Sequence, residues 1–365
     1  MAGAGPTTRA RASWVADRVT ALPEMWALVA LHLGLVGAWQ LMLVCKAARV
    51  GTKDFLKTLP QLVVCGGDSL RGSMAGVWLL DLATLRWEAG PDLASNLAFH
   101  ACCMVRSTLV VLGGQTTSVN NRTRETSRVA TLSQGAGAFT NKPPLSCGEI
   151  SDLVAIAVDE KDSAAGQVLL LGGFNGEDEA VARVYLVDLG TGVCTPQPSL
   201  LHERYEFTAA RLPDGRVICA GGSAVLDHDY TKLSSVEVFE PPAQGALNAA
   251  WTWRELLPMG VARAGCRGCV LSDGRFAVLG GRDVSSQNVS SCEALSVGGH
   301  WKSMSSMHDA RYLFASAAVA GCVVVAGGIH LKTAEVYDEG LERWLRLPYD
   351  LPFDDELYGM GSALL

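Results

Sequence analysis

The stretch Ala277-Val278-Leu279-Gly280-Gly281 (AVLGG) decides how the chain reads, because five others like it recur along the sequence. They are VVCGG at 63–67, VVLGG at 110–114, LLLGG at 169–173, ICAGG at 218–222 and VVAGG at 324–328. The closing glycines fall 47, 59, 49, 59 and 47 residues apart. A run of about four apolar residues before each pair reads as a strand buried on both faces. The first glycine permits another backbone to approach closely. The second permits an exit from the strand at positive φ.

A punctuated repeat of about 50 residues implies a β-propeller. The rest of each repeat agrees. A second strand signal follows the glycines: GVWLLDL (76–82), RVYLVDL (183–189), SVEVFE (235–240) and AEVYDE (334–339). Then comes a lone tryptophan, Trp87, Trp253, Trp301 or Trp344, where a large aromatic suits packing between adjacent blades. Cys194 takes that place in the third repeat, and no tryptophan lies between Gly114 and Gly172 in the second. SVNNRTRETSR (118–128) reads as an exposed loop. A Pro or Met cluster leads to Arg204, Arg263 and Arg311, which precede the next glycine pair by 17, 17 and 16 residues. Two of the hairpins in between carry Asp-Gly-Arg, at 214–216 and 273–275, a strong two-residue turn signal.

This order of Gly-Gly, VEVYD-like strand, Trp, Pro/Met and Arg resembles the kelch repeat over about 300 residues. The first repeat opens directly on LVVCGG, without a leading strand, and the C-terminal LYGMGSALL (357–365) supplies one. The expected fold is therefore all-β: a six-bladed kelch-type propeller over 61–365, closed by the C-terminal strand so that no strand edge is left unpaired.

The 60 residues ahead of the propeller differ from it in charge. Of 365 residues and a net charge of −7, residues 1–60 contribute +4 and the remainder −11. An acidic propeller is a poor match for a phosphate backbone, which excludes general nucleic-acid binding. Residues 1–20, with Arg9, Arg11 and Arg18 and no apolar stretch, read as a flexible tail. Residues 22–49, LPEMWALVALHLGLVGAWQLMLVCKAAR, resemble an F-box, the helical module that binds the Skp adaptor of cullin-RING ubiquitin ligases. The residues that carry the resemblance are Leu22-Pro23 at the start, the apolar residues through Leu33 and Leu35, and Val44-Cys45-Lys46 at the end. The family's acid-plus-leucine start is Glu24-Met25 here, and Ala47-Ala48 follow Val-Cys-Lys. The resemblance implies an F-box-like helical module at 21–50, a linker at 51–60, and an adaptor surface of Leu22, Pro23, Leu28, Leu31, Leu33, Leu35, Val44 and Cys45. Residues 46–60 also suit a short amphipathic helix joining the module to the propeller. Two other readings stand beside it. Met25–Cys45 carries no charge over 21 residues, enough to span a bilayer, and the segment also suits plain helices capping the propeller.

Eleven cysteines are scattered through the chain, several of them in strand runs (Cys65, Cys219, Cys322), as reduced cysteines in a core are. Cys266 and Cys269 form a CxxC, but i and i+3 on a strand face opposite ways, and no second CxxC completes a zinc site. The sequons at Asn121 and Asn288 carry meaning only in a secreted chain. The seven histidines, including His100, His202, His300 and His308, are dispersed, and no phosphate loop or GxSxG elbow occurs. The reading is a non-enzyme with no cofactor and no metal site, although some kelch-like propellers are enzymes.

The kelch resemblance places partner-binding residues just after each glycine pair and around the arginine before the next strand. Here the first set includes Asp68, Gln115, Asn175, Ser223, Arg282 and His330, and the second Arg204, Tyr205, Arg263, Arg311 and Tyr312. The arginines have a second reading, as structural groups bonding loop carbonyls of the neighbouring blade. Together the resemblances imply the substrate-recognition subunit of an SCF-type ubiquitin ligase, cytoplasmic or nuclear, with a Skp-type adaptor, the cullin core and an unidentified target protein as partners. The alternative is a kelch scaffold without a ligase role, possible as a membrane-anchored form through residues 25–45.

Overall fold

The computed structural model describes residues 20–69, 72–117, 123–158, 165–175, 179–226, 229–240, 251–353 and 357–365. The expected tail up to residue 19, the Asn121 sequon and His228 lie outside them.

Six four-stranded antiparallel sheets form the blades of one propeller. From the axis outward, blade 1 is Gly361–Leu364, Leu62–Cys65, Val77–Asp81 and Arg86–Ala89. The C-terminal strand lies antiparallel to the first, with Leu62 opposite Leu364 and Cys65 opposite Gly361. Gln61 and Leu365 exchange backbone hydrogen bonds of 2.9 and 2.8 Å, so the last residue is tied to the first strand. Blades 2 to 6 begin on the axis at Ala101–Val105, Val154–Val158, Thr208–Arg211, Arg267–Val270 and Ala315–Val319. The second strand of every blade, the apolar run before Gly-Gly, is buried along almost its whole length. That burial explains why those runs lack the apolar–polar alternation of a half-exposed strand.

Both glycines of each pair sit at positive φ, the first between 52° and 67° and the second between 95° and 113°. The sequence reading assigned positive φ to the second alone. Space forbids a side chain as well. A Cβ on Gly222 would lie 2.6 Å from the Tyr205 carbonyl oxygen and from Phe207 Cβ.

Three of the four repeat tryptophans stitch blade to blade, while the buried Trp87 Nε1 has no hydrogen-bond partner. Trp253, Trp301 and Trp344 each donate an indole N–H, at 2.9 Å, to a carbonyl of the preceding blade's end: Pro198, Leu257 and Ser305. In blade 3 the backbone N–H of Cys194 donates to Ser146 Oγ at 2.9 Å instead, and its thiol donates to the Gly192 carbonyl at 3.6 Å.

Helix α1 (Pro23–Leu41) and helix α2 (Lys46–Leu56) precede the propeller. Pro23 starts α1 in the first turn, where its missing N–H costs nothing. Gly34 (φ 70°, ψ −175°) breaks α1, and the freed Leu35 N–H bonds the Ala320 carbonyl of blade 6 at 3.3 Å. α2 packs so tightly on α1 that a Cβ on Gly51 would lie 1.8 Å from the Pro23 oxygen. The boundary drawn at 50/51 falls inside α2, and the short joining helix expected within 46–60 is present, from Lys46 to Leu56. The helices also share a core with the propeller: Ala30, Leu35, Val36, Ala38, Phe55 and Leu56 cluster with Leu80, Leu82, Val319 and Cys322. Ala320 and Leu82 sit at the blade ends away from Gly-Gly, so the helices dock on the opposite side from the glycine ladder.

Candidate protein-binding face

Of the two residue sets singled out in the sequence, only Ser223 and Tyr205 pair directly with each other through the backbone, but the positions they mark meet in every blade. The residue after each Gly-Gly bonds, backbone to backbone, the residue after the arginine position of the same blade. The pairs are Asp68 with Tyr358, Gln115 with Ala98, Phe174 with Ser151, Ser223 with Tyr205, Arg282 with Ala264, and Ile329 with Tyr312. The propeller thus presents six short equivalent pairs around its axis on the Gly-Gly side.

Inside them lies a closed ring. Phe99, Asp152, Glu206, Gly265, Leu313 and Gly359 occupy one position per blade, all at φ between 52° and 61°. The N–H of each donates to the carbonyl of the one before it around the ring, at 2.7 to 3.3 Å, and Phe99 closes the circle onto Gly359. Four of the six are not glycine, so the left-handed backbone costs of order 1 kcal/mol at each, held by the ring bonds. The repeat glycines drew attention to the ladder; nothing local marks these four residues.

The three arginines of the repeat do not face a partner. Arg204, Arg263 and Arg311 are at most 1% exposed. Each reaches the carbonyl of the first glycine of its next pair, Gly221, Gly280 or Gly327, at 2.7 to 2.8 Å. The 17, 17 and 16-residue spacing is the span of that bond. Each also pairs with a buried carboxylate on the third strand of its blade: Arg204 with Glu237, Arg263 with Glu293, Arg311 with Glu335. The carboxylates in turn accept backbone N–H bonds from Leu201 and His202, from Gly260, and from His308 and Asp309. Burial alone would raise Glu335, but the N–H of His308 and the Arg311 guanidinium hold it below its ordinary value. In blades 1 to 3 the register places Trp78, Ala130 and Tyr185 where the glutamates stand, and none of these blades has the arginine. The arginines are therefore structural and not part of the face, although they bond carbonyls of their own blade and not, as expected, those of the neighbouring one.

What remains at the surface is aromatic and polar. Tyr205 stacks edge-on between Phe174 (5.1 Å) and Tyr230 (6.4 Å), and Tyr230 is 65% exposed. The Arg282 guanidinium lies 4.1 Å above the Tyr312 ring and its Nε bonds Asn288 Oδ1. The Tyr312 ring is buried beneath it, its hydroxyl donating to Glu206 at 2.7 Å. Asn175 is half-buried, its Oδ1 taking the Glu179 N–H, and His330 is exposed at φ 62°. Gln115 Nε2 bonds Glu125 and Ser151, and the Ser151 hydroxyl donates to Asp152. Asp152 and Glu206 keep some surface at the ring, yet burial raises both carboxyls, and Glu206 raises Asp152 further. Arg267, half-buried in the channel, is lowered by the same loss of water. Sequence reasoning missed these three charges, since no repeat motif carries them.

The adaptor-type residues lie on the other side of the molecule. Leu22, Leu28, Leu31, Leu33 and Val44 are all about half exposed or more. Pro23 is half-buried, and Cys45 caps α2 by accepting the Ala48 N–H at 3.3 Å. Leu35 departs from the set: it is fully buried against blade 6. By length and composition α1 is also the one described helix apolar enough to cross a membrane. The CxxC cysteines are buried in different clusters, Cys266 between blades 4 and 5 and Cys269 between blades 5 and 6, as the strand geometry requires.

No family model matches the chain. It is 25% identical to human Kelch-like protein 34 over 297 residues, 75% of this chain and 42% of that protein. It is 28% identical to an F-box/kelch-repeat protein of Arabidopsis thaliana over 146 residues, 40% of this chain and 32% of that one. The chain thus spans less than half the length of these relatives. Among solved structures, that of YjhT superposes with a TM-score of 0.63 at 10% identity, over 79% of this chain and 97% of its own, a likeness of fold.

Proposed function

We propose that this chain is a substrate receptor: a kelch-type propeller that captures a target protein on its Gly-Gly face and is carried into a ubiquitin ligase through its N-terminal helices. The relatives and the propeller support a kelch-repeat protein with a protein-interaction role. The adaptor half of the proposal rests on one observation. Leu22, Leu28, Leu31, Leu33 and Val44 leave an apolar surface open on helices that are already docked, by Leu35, Val36 and Trp39, on the propeller side away from the Gly-Gly face. Large apolar side chains left exposed on a folded element call for a partner, and a Skp-type adaptor is the partner the F-box resemblance implies. Held there, the adaptor leaves the Tyr205, Tyr230, Arg282 and Ile329 side free for a target, and the chemistry belongs to other subunits. Tyrosine and arginine at such a mouth suit carboxylates and peptide backbone.

The membrane-anchored scaffold has one feature in its favour, the length and apolarity of α1. Against it, Gly34 breaks the helix and three residues beyond the break are buried in blade 6 and α2 packing.

Co-expression of the full chain with a Skp-type adaptor tests the proposal. A stable complex is expected, lost on Leu28→Asp with Leu31→Asp. These exposed positions are better probes than Pro23, which packs against Gly51. A soluble wild-type chain that does not bind the adaptor, or one that fractionates with membranes, overturns the reading.

A further inference from the structure

We propose that Cys65, His100 and Cys102 form a binding site for one thiophilic divalent cation of the zinc type, at the ringed end of the central channel. Cys65 ends the second strand of blade 1, Cys102 lies on the axial strand of blade 2, and His100 directly follows the ring residue Phe99. Their donor atoms all lie within 4.8 Å of one another, and they form the one such group of three among the described residues. Cys65 Sγ is 3.3 Å from Cys102 Sγ and 3.4 Å from His100 Nε2.

The fit to an ion can be checked by geometry. A tetrahedral ion at about 2.3 Å from each sulfur spaces two thiolates about 3.8 Å apart, so the pair must open by about half an ångström. With the imidazole nitrogen at about 2.0–2.1 Å, the 3.4 Å sulfur–nitrogen gap corresponds to an angle of about 100°, near tetrahedral. Two thiolates and an imidazole are a donor set for zinc, and softer than magnesium or calcium accept.

The surroundings of the three donors are also defined. His100 is 6% exposed, with its Nε2 turned to the Cys65 thiol and its Nδ1, on the far side of the ring, without a hydrogen-bond partner. Gly361, opposite Cys65 on the C-terminal strand, lets the donors lie close against the backbone: a Cβ there would clash, 2.3 Å from Cys102 Sγ and 2.4 Å from His100 Nε2. His100 and Cys102 also line the central channel, a cavity of about 410 Å³, which gives an ion a route in and a water the fourth position. Binding forms two metal–sulfur bonds and one metal–nitrogen bond, with the imidazole neutral and two thiol protons released to solvent. The bound dication and two thiolates then add no net charge beside Arg267, which lines the same channel.

The test uses the full chain, reduced and freed of metal. Titration with Co²⁺ is expected to give thiolate-to-metal charge transfer and tetrahedral d–d bands saturating at one ion per chain, displaced by Zn²⁺. X-ray absorption of the zinc form is expected to show two sulfurs and one imidazole nitrogen. Cys102→Ser and His100→Ala should each weaken binding by about tenfold or more, while Cys266→Ser and Cys147→Ser leave it unchanged. No binding at micromolar Zn²⁺, a donor shell of other composition, or equal binding by Cys102→Ser overturns the proposal. The absorption measurement on the unaltered chain decides the matter even if a variant fails to fold.

Discussion

Arg263 and Glu293 meet at 2.9 Å inside blade 5, and almost nothing of either side chain reaches solvent. Arg263 Nη1 donates to both the Gly280 and Ser291 carbonyls, and Glu293 takes the Gly260 N–H. The pair thus clamps an inter-blade loop to the glycine turn.

Breaking this pair from one side strands a buried charge. Glu293→Leu and Arg263→Met are each expected to cost about 3–5 kcal/mol of stability. The double variant Arg263→Met with Glu293→Leu should cost much less than their sum. Urea denaturation of the four proteins, read as a double-mutant cycle, measures this. Additive losses would show that the two residues act separately.

Asp152 predicts a pH-dependent stability. Its folded value stands well above the ordinary carboxylate range, chiefly through burial. A raised carboxyl stabilises the fold below its unfolded value near 4 and loses that contribution as pH rises through the folded value. Ionisation at neutral pH therefore works against the fold. Asp152→Asn keeps an acceptor for Ser151, and should raise Tm by at least about 2 °C at pH 8 with a smaller gain at pH 4. Thermal melts across that range that show the same difference at both ends would sink the argument.

Glycines of the ladder and of the loops should respond differently to alanine. Gly222 has φ 95° and neighbours 2.6 Å from a new Cβ, so Gly222→Ala combines left-handed strain with overpacking and should cost more than about 3 kcal/mol. Gly135 has φ 77° and nothing within 4 Å, so Gly135→Ala should cost about 1 kcal/mol, the backbone term alone. Equal losses in denaturant melts would remove crowding as the cause.

On the proposed binding face, stability and capture should separate. Tyr230 is 65% exposed, so Tyr230→Ala should leave stability within about 0.5 kcal/mol. A partner bound there should lose about 2 kcal/mol or more of affinity. Titration calorimetry with the target, beside a melt of the variant, distinguishes a face residue from a folding residue.

Cys194 should be unusually reactive for a half-buried thiol. Its value is drawn down to about 6, chiefly by the neighbouring Cys147 thiol. Its iodoacetamide labelling, followed by mass spectrometry, should level off above about pH 7, and Cys147→Ala should restore a rise at alkaline pH. A rate still climbing at pH 8 in the unaltered chain contradicts this.

The repeat, the blade number and the closing strand were legible in the sequence because each depends on a local signal. AVLGG and its five counterparts need a doubly buried strand and a glycine turn, and LYGMGSALL is the strand the first repeat lacks. The meaning of the recurring arginine was not legible. A guanidinium 17 residues ahead of Gly-Gly suits a loop mouth or a buried clamp, and only the third-strand glutamate beside it, seen in three dimensions, selects the clamp. Likewise Leu35 belongs to an apolar segment open to an adaptor until the break at Gly34 turns it into blade 6. The ring through Phe99, Asp152, Glu206, Gly265, Leu313 and Gly359, and the meeting of Cys65 with His100 and Cys102, join residues of different blades. Sequence determines what each 50-residue unit buries, because burial is set by neighbours along the strand. Closing six units around one axis decides which side chains and carbonyls face each other across it, and no single repeat contains that information.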